Sequence, residues 1–116
     1  MTRQRAERGG RRAEALAALW LQLKGWSILG RRVRTPVGEI DLVARRGRTL
    51  AFVEVKARAT RQEAEHALDD WRLRRVAAAA EALAHRYSRP GDTIRIDAVF
   101  IVPRRLPLHI PHVWHG

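Results

Sequence analysis

The stretch Gly38–Arg58, GEIDLVARRGRTLAFVEVKAR, decides the fold of this chain and carries its least ordinary chemistry. Alternating apolar residues predict two β-strands, Glu39–Ala44 and Leu50–Ala57, joined by a turn at Arg46-Gly47-Arg48. The second of these strands is apolar on both faces for much of its length, so we expect it at the centre of a covered sheet.

Two carboxylates and a lysine interrupt this predicted hairpin. Asp41 and Glu54 lie on adjacent strands, where paired side chains can meet on one face. Two carboxylates that close repel each other, and a divalent cation would remove the repulsion. A few hard oxygen ligands, with positions left for water and a phosphate, describe a Mg²⁺ or Mn²⁺ site. Lys56 shares the face of Glu54, where it could orient a water or stabilise charge at phosphorus.

A structural ion network is the open alternative for these three side chains. Such a network is costly to desolvate and is often no better than apolar packing. The residue type at position 56 favours a functional role. Only Lys24 and Lys56 are lysines in this chain, and every other basic side chain of the Lys/Arg class is arginine. Lysine is a compact, titratable point charge, unlike the broad and permanently charged arginine fork.

The remaining sequence predicts one α/β domain over residues 1–116, with elements in the order α-β-β-β-α-β-(β). The other predicted elements are helices Arg11–Lys24 and Arg61–Tyr87, strands Trp26–Val33 and Thr93–Val102, and an edge strand within Leu106–Trp114. The long second helix favours parallel pairing of the strands before and after it. We therefore expect a central mixed sheet of four to five strands flanked by two helices. Residues 1–10 are expected to form a flexible basic arm.

Side-chain spacing predicts which residues the core contains. The first helix is expected to bury one stripe, made of Ala13, Leu16, Trp20 and Leu23. Leu19 and Leu21 widen this stripe, so we expect the helix to be covered on more than one side. Trp71 is also expected in the core. Gly30 is a candidate β-bulge in the first strand.

The net charge of the chain indicates what kind of partner it binds. The chain has 23 Lys and Arg against 12 Asp and Glu and a pI near 11.7. This excess favours a polyanionic partner, most often nucleic acid, over the alternative of arginines that are merely solvated. The absence of cysteine excludes a disulfide, a thiolate zinc site and a thiol nucleophile. No apolar run is long enough for a membrane helix, so we expect no membrane association and a cytoplasmic protein.

The segments GEIDLVA and FVEVKAR resemble a known signature. They are similar to the D…ExK motif of the PD-(D/E)xK nuclease superfamily, which has the restriction-endonuclease-like fold. More closely, the chain resembles the YraN-like family of bacterial proteins, which is similar to archaeal Holliday junction resolvases. The resemblance covers nearly the whole chain, from the helix start at Gly10 and Glu14 to the strand with Ile96 and Asp97.

The resemblance implies a role for each matching residue. Asp41 and Glu54 would be metal ligands, and Glu14, on the first helix, would complete the metal shell. Lys56 would be the catalytic lysine. Superfamily members often place a basic or amide residue of the following helix near the site, and Arg72 is the candidate in this sequence. The proline that precedes the aspartate in the superfamily is replaced by Ile40.

Further arginines are candidates for nucleic-acid contacts. Arg45, Arg46 and Arg48 lie in or beside the turn, where they are either a solvated tip or phosphate contacts beside an acidic metal site. We extend the same expectation to Arg58 and Arg72. The C-terminal histidines, by contrast, do not predict a zinc site, because three-residue steps along a strand point to alternating faces: His109, His112 and His115.

These observations predict a nucleic-acid-binding protein, a metal-dependent endonuclease that hydrolyses DNA phosphodiesters and could act on branched DNA. The alternative is a module of the same fold that binds nucleic acid without cutting it. A third reading, a structural adaptor, would not require the basic excess. Resolving a junction would need two active sites in a symmetric dimer, so a homodimer stays open.

Overall fold

A five-stranded mixed sheet forms the centre of the domain in the order β1-β2-β3-β4-β5. The computed structural model describes residues 3–116, and the side chains of residues 10–116. The strands are β1 (Ser27–Thr35), β2 (Gly38–Arg46), β3 (Thr49–Ala57), β4 (Thr93–Ile101) and β5 (Leu108–Ile110). The β3–β4 pair is parallel, and the other pairs are antiparallel. This arrangement confirms the predicted mixed sheet, the parallel pairing and the edge strand.

The described residues form three helices, α1 (Arg3–Leu23), α2 (Arg61–Ala67) and α3 (Asp70–Tyr87). The prediction of a single helix over Arg61–Tyr87 was wrong, because the chain starts a new helix at Asp69. The Asp69 carboxylate accepts a hydrogen bond of 2.8 Å from the Arg72 backbone N–H, which is the bond of an N-cap. Thr60 caps α2 as expected, by accepting from the Glu63 N–H.

Helix α1 begins earlier than expected. Its bounds include Arg3–Gly10, which we had assigned to a flexible arm, while residues 1 and 2 of that arm lie outside the described residues. Gly9 and Gly10 suggested a break, since glycine disfavours a helix interior by about 1 kcal/mol relative to alanine. That penalty is small enough for the helix to continue through both.

Each side of the sheet carries its own core. Helix α1 packs its small side chains and one leucine against β2, β3 and β4: Ala13, Ala17, Ala18 and Leu21. Helix α3 covers the other side, where Leu73, Val76 and Leu83 pack with Phe52. The prediction for α1 was therefore right at Ala13 and Leu21 and wrong at Leu16, Leu19 and Leu23, which are exposed, while Trp20 is half-buried. The cause is that the C-terminal half of α1, Ala13–Leu23, has apolar side chains on several faces, so their spacing alone leaves the buried face undecided.

Gly30 lies at a break in the β1–β2 register, as predicted. The pairing shifts between Ile28 and Gly30, which identifies a bulge. A Cβ atom at Gly30 would lie 2.9 Å from the Tyr87 hydroxyl oxygen, on α3. The bulge thus lets the strand approach the end of α3 closely.

A buried carboxylate anchors the C-terminal segment. Asp97 is 0% exposed and accepts hydrogen bonds from Arg95, from His109 Nε2 at 2.8 Å and from the His112 backbone N–H at 3.0 Å. Burial acts to raise the pKa of Asp97, but these hydrogen bonds and the Arg95 charge outweigh it, and the pKa is lowered. The histidine nearest this carboxylate therefore has a structural partner.

No helix within residues 3–116 is both long enough and apolar enough to cross a membrane.

Candidate active site

A pocket of about 320 Å³ opens on the α3 side of the sheet, where β2 and β3 separate. It brings together four residues to which the sequence assigned functional roles, namely Asp41, Glu54, Lys56 and Arg72. The other lining residues come from the start of β2, from β3 and from α3: Gly38, Glu39, Val55, Arg75 and Val76. The pocket is thus acidic at its floor and has arginines from the helix at its edge.

The pocket forms because strand pairing stops. The paired residues of β2 and β3 run from Arg46–Thr49 to Leu42–Val53 and end there. Beyond the last pair, the Asp41 carboxylate accepts a hydrogen bond of 2.8 Å from the Val55 backbone N–H. A side chain therefore satisfies this donor of β3, and the same bond fixes the orientation of Asp41 in the gap.

The environment of Asp41 disfavours its charged form. Burial, followed by the negative charge of Glu54, raises the pKa of Asp41 from 3.8 to about 8. The hydrogen bond from Val55 and the charge of Lys56 act in the opposite direction, and the charge of Glu14 adds a smaller increase. Two acids are therefore held close together at a position where their charges are not fully compensated.

Glu54 and Lys56 form an ion pair beside Asp41. The Lys56 Nζ lies 2.9 Å from Glu54 Oε1, and the two side chains are only 11% and 9% exposed. Both residues point to the same face of β3, as the alternation of a strand requires. A buried ion pair is expensive to desolvate, and apolar side chains of similar size would often stabilise the fold as well. The ion pair beside a second acid therefore indicates a role other than packing.

Glu14 lies next to this group but is engaged elsewhere. Its Oε1 is 2.5 Å from Nε of Arg32, in an adjoining pocket lined by α1 and β1 residues. Its charge nevertheless contributes to the raised pKa of Asp41. Within residues 10–116, no group of three His, Cys, Asp or Glu side chains is arranged to hold a metal ion. The role of Glu14 in a metal shell therefore stays a prediction.

Two exposed arginines line the pocket from α3. Arg72 was named from the sequence, whereas Arg75 was missed. Residues three apart on a helix share a face, so the position of Arg72 already pointed to Arg75. Three other arginines named from the sequence are exposed but do not line this pocket: Arg46, Arg48 and Arg58.

Arg45, which we considered either a solvated tip or a phosphate contact, is buried, so the prediction of a solvated tip was wrong. Its guanidinium donates hydrogen bonds of 2.8 and 2.6 Å to the two carboxylate oxygens of Asp92 and one of 3.0 Å to the Tyr87 carbonyl. The hydrogen bond from Arg45, together with one from the Arg89 backbone N–H, lowers the pKa of Asp92 to about 2. The buried Arg45 side chain thus joins β2 to the segment after α3.

Comparison with known proteins gives the family. The model of a family described as "Uncharacterised protein family UPF0102" matches residues 13–101. The chain belongs to this family. A UPF0102 protein of Sphingopyxis alaskensis is 62% identical over 114 residues, with 98% of each chain covered. One of Erythrobacter litoralis is 60% identical over 114 residues, again with 98% of each chain covered. The resemblance to the YraN-like family is thereby confirmed.

A solved structure shares the fold of this UPF0102 chain. It is that of Hjc from Archaeoglobus fulgidus, described as a Holliday junction resolvase from an archaeal hyperthermophile. The TM-score is 0.58 at 19% sequence identity, and the match covers 86% of this chain and 73% of the other. The α/β domain is therefore restriction-endonuclease-like, as predicted.

Proposed function

We propose that this protein binds DNA and is a metal-dependent endonuclease that hydrolyses phosphodiesters, including those of branched DNA. The observation that carries the proposal is the meeting of Asp41, Glu54 and Lys56 in one pocket edged by Arg72 and Arg75. The fold shared with a protein described as a Holliday junction resolvase supports a nuclease-like role. The net charge of +11 supports a polyanionic partner.

Asp41 and Glu54 fit a divalent cation of the Mg²⁺ or Mn²⁺ type. The raised pKa of Asp41, about 8, comes from burial and from the charge of Glu54, and a cation between the two acids would reverse the second cause. Mg²⁺ commonly binds through one or two carboxylates and otherwise keeps waters and substrate phosphates. Two carboxylates therefore suffice, and Glu14 would join them by leaving Arg32. When bound, the ion makes water more acidic and polarises a phosphoryl oxygen.

The protein side chains would position the phosphates and the water and would stabilise negative charge. Lys56, held by Glu54 at 2.9 Å, would place its ammonium beside the attacked phosphate, where it orients water and stabilises the developing negative charge. Arg72 and Arg75 would hold neighbouring phosphates at the edge of the pocket. In the reaction, a water oxygen adds to phosphorus, the bond from phosphorus to one sugar oxygen breaks, and that oxygen takes up a proton. Action on a junction would further require two such sites in a homodimer.

A module that binds nucleic acid without cutting it is the second candidate. It is favoured by the ion pair of Glu14 with Arg32, which holds the Glu14 carboxylate on an arginine and not on a site shared with Asp41 and Glu54. The same arginines would then bind phosphates next to a pocket that performs no chemistry.

Cleavage assays separate the two candidates. The purified protein is incubated with Mg²⁺ or Mn²⁺ and with branched, duplex and single-stranded DNA, and the products are resolved on denaturing gels. We expect cleavage that Asp41→Asn and Lys56→Ala abolish, while both variants keep their circular dichroism spectra. Lys24→Ala is the matched control, because it removes the other lysine and should cut normally. Tight binding of every substrate with no cleavage would exclude the endonuclease and leave the module.

A further inference from the structure

Trp71 is a large aromatic side chain that the fold leaves in solvent. The sequence placed it in the core, but it is 62% exposed, near the start of α3. The other tryptophans are covered to a greater extent, with Trp26 only 3% exposed and Trp20 and Trp114 half-buried. Among the Phe, Trp and Tyr side chains of residues 10–116, Trp71 is the exposed one. Burial in this domain therefore does not explain its presence.

Arg75 links Trp71 to the acidic pocket. The Arg75 guanidinium carbon lies 5.2 Å from the centroid of the Trp71 ring, one helical turn away, in a cation–π contact. The same arginine lines the pocket that contains Asp41 and Glu54. The indole ring thus lies at the edge of the candidate active site, next to a group suited to bind phosphate.

The residues around the ring fit a nucleic acid better than a protein surface. Arg72, Arg74 and Arg75 follow Trp71 in sequence, and all three are exposed. An apolar protein surface laid over the ring would desolvate these guanidinium groups without offering them partners. A nucleotide satisfies both features, since its base stacks on an aromatic face and its phosphate accepts from arginine.

We propose that Trp71 is a stacking platform for an unpaired base, and that the substrate class is nucleic acid with an unpaired nucleotide beside the attacked phosphate. A base inside a duplex is already stacked and paired, so an indole reaches its face in a single strand, at a flap or at a branch point that contains an unpaired nucleotide. The branched DNA used in the test below therefore contains one. This proposal rests on the proposed function for the position of the phosphate and adds to it the structure of the substrate.

Binding measured without a divalent ion tests the platform. Fluorophore-labelled branched, single-stranded and blunt duplex DNA are titrated with protein in EDTA, and anisotropy gives each Kd. We expect Trp71→Ala to weaken binding of the branched and single-stranded DNA by roughly 5- to 150-fold, which is the range of one base–aromatic stack. Trp71→Phe should restore most of this loss, and binding of blunt duplex should change less than about twofold.

The matched control is Arg74→Ala, which removes a charge of the same helix outside the pocket lining. It should weaken binding of all three DNAs by a similar factor, because a phosphate contact carries no information on pairing. Equal weakening of duplex and unpaired DNA by Trp71→Ala, or no weakening of either, would overturn the stacking platform.

The stacking platform and the proposed endonuclease can be refuted separately. Wild-type protein that cuts DNA, together with a Trp71→Ala variant that binds every DNA normally, would overturn the platform and leave the endonuclease. Wild-type protein that cuts nothing, with the selective loss seen in Trp71→Ala, would overturn the endonuclease and support the platform.

Discussion

Replacing the ionisable carboxyl of Asp41 with a neutral amide should stabilise the metal-free protein. The folded state raises the pKa of this carboxyl from 3.8 to about 8. One pKa unit corresponds to about 1.4 kcal/mol, so holding the group protonated at pH 7 costs the fold about 4 kcal/mol. Asparagine is neutral without taking up a proton, and its Oδ1 can still accept the hydrogen bond from the Val55 backbone N–H. Because a buried amide also loses hydration, we expect Asp41→Asn to gain about 1–3 kcal/mol in the free energy of unfolding.

The stability that Asp41→Asn gains over the wild type should increase with pH. A carboxyl whose pKa is higher in the folded state favours folding while it is protonated, and this contribution is lost as pH rises through the folded pKa. Below the unfolded value of 3.8, Asp41 is protonated in both states, so the wild type and Asp41→Asn should be equally stable. The difference should then grow until about pH 8.

Urea unfolding in EDTA at several pH values between about 4 and 8 measures this difference. Asp70→Asn is the matched control, since it removes an exposed acid in the first turn of α3 and should change stability little. Adding Mg²⁺ should raise the unfolding midpoint of the wild type, because an ion that binds only the folded state stabilises it, and should not raise that of Asp41→Asn. If Asp41→Asn is less stable than the wild type in EDTA at pH 7, Asp41 belongs to a structural ion network and our reasoning is wrong.

Three further perturbations test the fold around the pocket. Gly30→Ala should destabilise the protein by about 1–3 kcal/mol in urea, because its Cβ would lie 2.9 Å from the Tyr87 hydroxyl oxygen; unchanged stability would show that the bulge relaxes freely. Leu21→Ala removes a side chain that is 0% exposed and should lower the free energy of unfolding by about 2–5 kcal/mol. Leu23→Ala, at a position 74% exposed, should lower it by less than about 0.5 kcal/mol. Equal losses would contradict the buried face of α1. Asp92→Asn should lower the unfolding midpoint at neutral pH, and the difference from the wild type should shrink as pH falls from about 4 to about 2, because the stabilising carboxylate has a folded pKa of about 2. A difference that persists at the lowest pH would show that the Asp92 charge contributes nothing.

The acidic pocket could be predicted because it depends on local rules. Period-two alternation in Gly38–Arg58 determines which side chains share a face, and the structure indeed places Asp41, Glu54 and Lys56 around one pocket. The parallel pairing of β3 and β4 followed from the length and handedness of the crossover. The roles of these residues in binding a metal or cutting DNA stay predictions.

The errors concern residues whose environment is set by distant parts of the chain. Arg45 was assigned to an exposed turn, and its buried partner Asp92 lies 47 positions further on. The buried face of α1 was predicted only in part, because Ala13–Leu23 has apolar side chains on several faces and packing against the sheet decides which of them is buried. Trp71 was predicted in the core, whereas it is 62% exposed in the first turn of α3, a helix start that the sequence analysis did not predict.

Three buried or mostly buried carboxylates show what distinguishes the pocket from the structural ion pairs. Asp92 accepts two hydrogen bonds from Arg45, and Asp97 accepts from two side chains and a backbone N–H, so the pKa of each is lowered. Asp41 instead lies beside a second acid, and the pKa is raised to about 8. Arginine neutralises a buried acid twice in this domain, at Asp92 and at Asp97. At Asp41 the fold supplies a single backbone N–H and leaves the carboxylate facing a pocket. An acid destabilised by its surroundings, in a cleft with a lysine and two arginines, is the pattern expected of a binding or catalytic site and not of a structural network.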